Sequence, residues 1–261
     1  MEMFIKNSEG KTRDRPIDKW WDIYFSMIHS MYLNIVASFP NAATSLFRIY
    51  NANIYEVDNE LNLFLDTLVK SDLINNTIIV FMSDHGEAFF EHGVLEHGYS
   101  LSSQYNEMIR TPLFVYIPGV KGRAVKAVTR NIDIFPTIFE LIGFNDAPFS
   151  NQSHGNTLVP LMKEPSIFDR VREDFAISFS DSLVSVQDKS WKMIANLCDE
   201  NTLMVYNLAN DPQEKLNVVT QNVRISKKFM NLLEKEVRFD RRNIGIYWSE
   251  QFVNRKNSCL R

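Results

Sequence analysis

At 261 residues, 45% of them hydrophobic, the chain can bury one good core and leaves room for a smaller second unit. Its net charge is −4 and no lysine or arginine stripe with interleaved aromatics occurs, which argues against nucleic acid as a partner. Cys198 and Cys259 allow at most one bridge, too few for a disulfide framework, and they do not settle the compartment.

Residues 1–19 carry Lys6, Lys11, Arg13, Arg15 and Lys19 among acids, without the apolar core of a signal peptide. Trp20 to Phe39 is the most apolar early stretch, but Asp22, His29, Ser30 and Asn34 interrupt it, so no transmembrane segment is expected in this chain. Ala43, Thr44 and Ser45 follow Phe39-Pro40 and read as loop or helix-cap residues. Ile54, Val57, Leu61, Phe64, Leu65 and Leu68 recur at three- and four-residue spacing. That spacing predicts a helix, about Tyr55 to Leu73, with one apolar face against a sheet. Thr77 to Met82 carries no charge and is bounded by Asn75-Asn76 and Ser83, as expected of a fully buried strand.

Leu113 to Ile117 predicts a second buried strand, closed by Pro118-Gly119, and Ile134 to Leu141 a helix capped by Gly143. The alternation implies a layered α/β domain over residues 1–144. Residues 145–172, with Pro148, Pro160 and Pro165 and no sustained periodicity, read as a connecting segment. Residues 173–238 then hold four short strands, Phe175–Phe179, Leu183–Val186, Trp191–Ile194 and Leu203–Tyr206, parted by turn residues as in an antiparallel meander. Ile225 to Val237 predicts a helix, completing a small antiparallel α+β subdomain. Residues 239–261 have no assignment.

Three of the five histidines fall between Ser83 and Gly98, directly after the first predicted strand. Asp84 and His85 are borderline-to-hard metal ligands, and Gly86 lets the backbone turn so that both can face one ion. A solvated polar loop would have the same composition. The strand in front of it favours a site, because ligands in open α/β sheets gather at the carboxyl ends of strands.

The order of several further pieces resembles the C-terminal half of a member of the sulfatase family, within the alkaline phosphatase-like superfamily of sulfo- and phospho-ester enzymes. After Ser83-Asp84-His85-Gly86-Glu87 come Ile109-Arg110-Thr111-Pro112-Leu113 and Asp133-Ile134-Phe135-Pro136-Thr137. Gly155-Asn156-Thr157-Leu158 and Val205-Tyr206-Asn207-Leu208 follow, with Asn210-Asp211-Pro212-Gln213-Glu214 and Asn217. The resemblance implies a partial layered α/β/α sheet over residues 1–144, then the small antiparallel subdomain. It also implies that Asp84 and His85 hold a divalent ion, calcium first, with zinc or manganese as alternatives. His97 stands where sulfatases place a substrate-contacting lysine, and a histidine there is more typical of phosphoester relatives. His92, Glu87, Glu91 and Glu96 read as loop structure or as support behind the ligands.

The acidic ligands and the Cys- or Ser-x-Pro-x-Arg nucleophile with which family members begin have no counterpart here. Neither Cys198 nor Cys259 has Pro and Arg at the required spacing. Three readings follow. The first is part of a sulfuric ester hydrolase acting on a sulfate ester, with the N-terminal half needed as a partner. The second is a phosphoester hydrolase or phosphoethanolamine-type transferase, and the third a truncated, non-catalytic fragment. Relatives are often secreted, periplasmic or lysosomal, which leaves the compartment of this chain open.

Overall fold

The structure, a computed structural model, describes residue 38 and residues 41–94, 101–144, 155–163, 174–180, 183–196 and 199–243. The chain divides into two compact units, residues 1–64 and residues 65–261. A long helix α1, Ala42–Lys70, begins in the first unit and ends in the second. It starts well before the expected Tyr55, so Thr44 and Ser45 lie inside the helix and not in a loop. None of its residues is buried, whereas the spacing predicts an apolar face packed on a sheet. Its end is a Schellman turn: Asp72, at φ 57°, donates to Val69, and Leu73 donates to Leu68 at 2.9 Å.

Strands β1, Ile79–Met82, and β2, Leu113–Tyr116, pair antiparallel, with Ile79 opposite Tyr116 and Met82 opposite Leu113. Both were expected to be fully buried, and neither is. Every residue of β1 keeps some exposure, and Phe114 and Tyr116 of β2 face outward. Among the described residues no third strand joins this pair, so its faces and edges lack the cover that buries a central strand. Between them lies the one-turn helix α2, Asn106–Ile109. Helix α3, Ile134–Leu141, has the expected bounds and closes on Gly143 at φ 88°, with Phe144 donating to Phe139 at 2.9 Å. Within the expected connecting segment, Val159–Lys163 forms a short helix α4, and Leu158 and Leu161 pack there with Leu113 and Ala127.

The four expected C-terminal strands are present as β3, Ala176–Ser180, β4, Leu183–Gln187, β5, Trp191–Asn196, and β6, Asp199–Asn207. They form a meander in the order β3-β4-β5-β6. Successive side chains point to opposite faces, so Val184, Val186, Met193, Ala195 and Val205 share one face. Phe229 and Leu233, both fully buried, cover that face from helix α5, Val223–Asn243. The helix runs past the expected Val237 into the residues left unassigned. The opposite face carries Lys192, Ile194, Met204 and Tyr206, and Tyr105, just before α2, packs on it. The sheet is therefore an inner layer, with α5 on one side and the segment following the His-rich loop on the other. Among the described residues no helix is long and apolar enough to cross a membrane.

Candidate functional site

Strand β1 delivers Asp84 to its carboxyl end, where the chain turns. Asp84 Oδ1 accepts the backbone N–H of His85 at 2.9 Å, and the Ser83 hydroxyl donates to the His85 carbonyl at 2.5 Å. His85 Nδ1 lies 2.8 Å from the Gly86 carbonyl oxygen. A carbonyl only accepts, so Nδ1 carries the proton and in the neutral ring Nε2 carries the lone pair. Nε2 is also the ring atom beside Asp84, 3.8 Å from Oδ2. Two donor atoms at that separation can share one divalent ion, whose ligand distances are about 2.0–2.6 Å. Both side chains are exposed, so the pair opens outward. Among the described residues no group of three or more His, Cys, Asp or Glu side chains gathers around an ion position. Asp84 and His85 thus offer two donor atoms that could share an ion, and do not by themselves complete a ligand set. His97 and Glu96 lie outside the described residues.

Two elements hold this turn from behind. The Asn131 side-chain amide donates to the carbonyls of Ser83 and Asp84, at 3.3 Å each, and Thr111 Oγ1 donates to Asn131 Oδ1 at 3.3 Å. The Gly86 N–H donates to the Met108 carbonyl at 2.7 Å. A Cβ on Gly86 would collide with the backbone carbonyl of Glu107, so this approach of loop to α2 requires glycine. The turn bearing Asn131 is itself locked by Asp133, which is fully buried. Its carboxylate accepts the Arg130 guanidinium at 2.9 Å and the Asn156 N–H at 2.8 Å. Thr137 Oγ donates to the Asp133 carbonyl at 2.5 Å and accepts the Leu158 N–H at 2.8 Å. Gly155 passes so close to Ile132 that a Cβ there would meet its carbonyl oxygen.

The other loop histidine and acids divide by environment. Glu91 accepts the Phe89 N–H at 2.5 Å, a local turn contact. His92 turns inward and stacks flat on Tyr105, with ring centroids 3.6 Å apart. Its Nδ1 lies 2.5 Å from Glu107 Oε1 and its Nε2 lies 3.1 Å from the Glu214 carbonyl oxygen. Glu214, at φ 54°, buries its side chain against Lys192, with Oε1 2.7 Å from Nζ, and its Oε2 accepts the Asn106 N–H at 2.7 Å. Lys192 also donates to Asn106 Oδ1 at 3.3 Å. Burial pushes the Lys192 ammonium down to about 8, against the opposing pull of Glu214. Burial likewise raises the Tyr105 phenol, and raises Tyr206 further, their hydroxyls standing 3.2 Å apart.

Asn131, Thr111, Glu107 and Lys192 escape sequence reasoning. The signal for Lys192 is present, because strict alternation through Trp191-Lys192-Met193-Ile194 puts Lys192 on the face of Ile194. Nothing local marks Asn131, whose role depends on β1 passing beside it.

Residues 7–144, just over half of the chain, match the family description Sulfatase. Residues 91–241 match N-sulphoglucosamine sulphohydrolase, C-terminal. Choline-sulfatase of Rhizobium meliloti (strain 1021) is 28% identical over 193 residues, covering 74% of the chain and 36% of the relative. Arylsulfatase K of Homo sapiens is 26% identical over 223 residues, covering 80% and 40%. The chain therefore spans about two fifths or less of the length of these relatives. The solved structure of BT4656 in complex with its substrate D-glucosamine-2-N,6-O-disulfate superposes with TM-score 0.65 at 22% identity. That likeness covers 88% of this chain and 49% of the other, and it shows an alkaline phosphatase-like α/β fold.

Proposed function

The chain belongs to the sulfatase family, and from that premise we propose that it supplies one side of a sulfuric ester hydrolase site. In this reading Asp84 and His85 are two ligands of a divalent ion, and His97 steadies the transferred group by donating to a sulfuryl oxygen. The observation that carries the reading is the His85 tautomer: the Gly86 carbonyl takes Nδ1–H and leaves the lone-pair nitrogen 3.8 Å from Asp84 Oδ2. An ion held there supplies Lewis-acid polarisation of the ester oxygens. Asn131 and Gly86 keep the two ligands oriented by fixing the backbone on both sides of them.

Calcium is the ion proposed. Zinc or manganese belongs with the second reading, a phosphoester hydrolase or transferase, which an imidazole ligand and a histidine at position 97 both suit. The nucleophile and the remaining acidic ligands come from sequence beyond the 261 residues, so the chain by itself should not turn over aryl sulfates.

Sequencing the native transcript upstream of the Met1 codon, and expressing the frame it encodes, tests the reading. The expected result is an in-frame extension with acidic ligands and a Cys, Ser or Thr nucleophile. The longer protein should hydrolyse an aryl sulfate, and Asp84→Asn should slow it by about two orders of magnitude or more. Metal-dependent turnover by the 261-residue chain alone would overturn the division of the site. A longer enzyme indifferent to Asp84→Asn would overturn the ligand assignment.

A further inference from the structure

Behind the ligand turn lies a buried group of four ionisable side chains that neither ion binding nor substrate contact uses. His92 and Glu107 form one pair, with side chains only 13% and 14% exposed, and Lys192 and Glu214 form the other, fully buried. The pairs are joined through α2, whose first N–H is held by Glu214 and whose second residue is Glu107. The same short helix offers the Met108 carbonyl to Gly86, two residues beyond Asp84.

The His92 ring is the informative member. Both of its nitrogens face acceptors: Nδ1 the Glu107 carboxylate, Nε2 the carbonyl of Glu214. A neutral imidazole has a single N–H and can satisfy only one of them, so the two contacts together require two protons on the His92–Glu107 pair. With the ring as imidazolium, the cluster holds two cations and two anions and is neutral. With one proton fewer, it would leave an uncompensated charge in a buried site. The charged and titratable groups facing the ring from each neighbouring segment are Glu107 on α2, Tyr105 beneath it, and Glu214 with Lys192 behind. Glu214 holds φ 54°, unusual for a residue with a side chain, and a conformation of that kind persists when its surroundings over-determine it.

We infer that His92 is a positioning residue: its ring, held by Glu107 at one nitrogen and by the Glu214 carbonyl at the other, bolts the Asp84–His85 loop to the C-terminal sheet. The bolt runs from the loop at His92, through Glu107 and Glu214, to Lys192 on β5. The inference deepens the reading of Asp84 and His85 as ligands, since it concerns what holds their loop. Its test needs neither ion nor turnover, so failure of the ligand assignment leaves it intact.

The test is hydrogen exchange by mass spectrometry on wild type and His92→Phe at low concentration, paired with nitrogen-15 spectroscopy of the wild-type histidine rings. Both His92 nitrogens should report as N–H type, since each faces an acceptor. His92→Phe keeps the stack on Tyr105 and removes both hydrogen bonds, so protection of the peptide containing Gly86 and Phe90 should fall. The fall should be about tenfold, the worth of one charge-assisted hydrogen bond, while β4 and β5 keep their protection. A lone-pair nitrogen on His92, or loop protection that a folded His92→Phe leaves unchanged, would overturn the inference. If His92→Phe does not fold, the wild-type ring spectrum decides alone.

Discussion

Lys192 sets burial directly against charge. Its ammonium is fully enclosed and meets Glu214 at 2.7 Å, yet it gives up its proton near 8 instead of the ordinary 10.5 because desolvation outweighs the partner's attraction. The unfolded chain holds that proton longer, so between about pH 8 and 10 it binds more protons than the folded chain. Stability from this group therefore rises with pH through that window, by about 3 kcal/mol if carried to 10.5. Tyr105 and Tyr206 act in the opposite sense above pH 10, where the unfolded phenols ionise before the buried ones. Urea unfolding from pH 7 to 10 on wild type, Lys192→Met and the double variant Lys192→Met with Glu214→Leu separates these effects. Both variants remove the ammonium that titrates, so neither should show the rise above pH 8 that wild type shows.

At the level of elements, the joins between segments matter more than the segments. Helix α3, eight residues long, is too short to hold by itself, and its entry turn is fixed to the Gly155–Leu158 strap by Asp133 and Thr137. Through Asn131 that turn then holds the carbonyls of Ser83 and Asp84. Glycines mark the tightest approaches. Gly155→Ala should cost about 1–3 kcal/mol, because the added carbon meets the Ile132 backbone and not a yielding side chain. Gly122→Ala, where nothing lies within 4 Å, is the matched control and should be neutral or slightly stabilising. Thermal unfolding of the two variants side by side checks this, and equal midpoints would remove the strap from the account.

For the whole molecule, the two halves of the chain differ in how well their apolar surface is covered. The C-terminal sheet has a complete core, with Val184, Val186, Met193, Val205, Phe229 and Leu233 all fully buried. Helix α1 has no buried residue, and Phe114 on β2 is 66% exposed. Apolar faces of that kind, with strand edges beside them, attract partners or other copies. The 261-residue chain should bind an environment-sensitive apolar dye and self-associate at micromolar concentration. A protein in which further strands complete the β1–β2 sheet should do neither. Dye titration and sedimentation velocity on both decide it, and a strictly monomeric, dye-silent 261-residue chain would show that these faces are covered from within.

Periodicity and turn chemistry in the sequence determined the elements: the strand ahead of Asp84, helix Ile134–Leu141 to its last residue, and the four-strand meander with its helix. These are local properties, set by side-chain spacing and by residues such as Gly143 that end a helix. The Asp84–His85 pair was legible for the same reason, as two neighbours at a strand end. Burial was not legible. β1 and β2 have the composition of buried strands but are only partly covered, because burial depends on what packs against a strand and not on the strand itself. Nor could spacing show that His92, Glu107, Glu214 and Lys192 meet. His92 and the Glu214 carbonyl are 122 residues apart in the chain and 3.1 Å apart in space. Only the tertiary structure brings such groups together, since a buried charge is tolerated where distant segments supply its counter-charge and hydrogen bonds at one point.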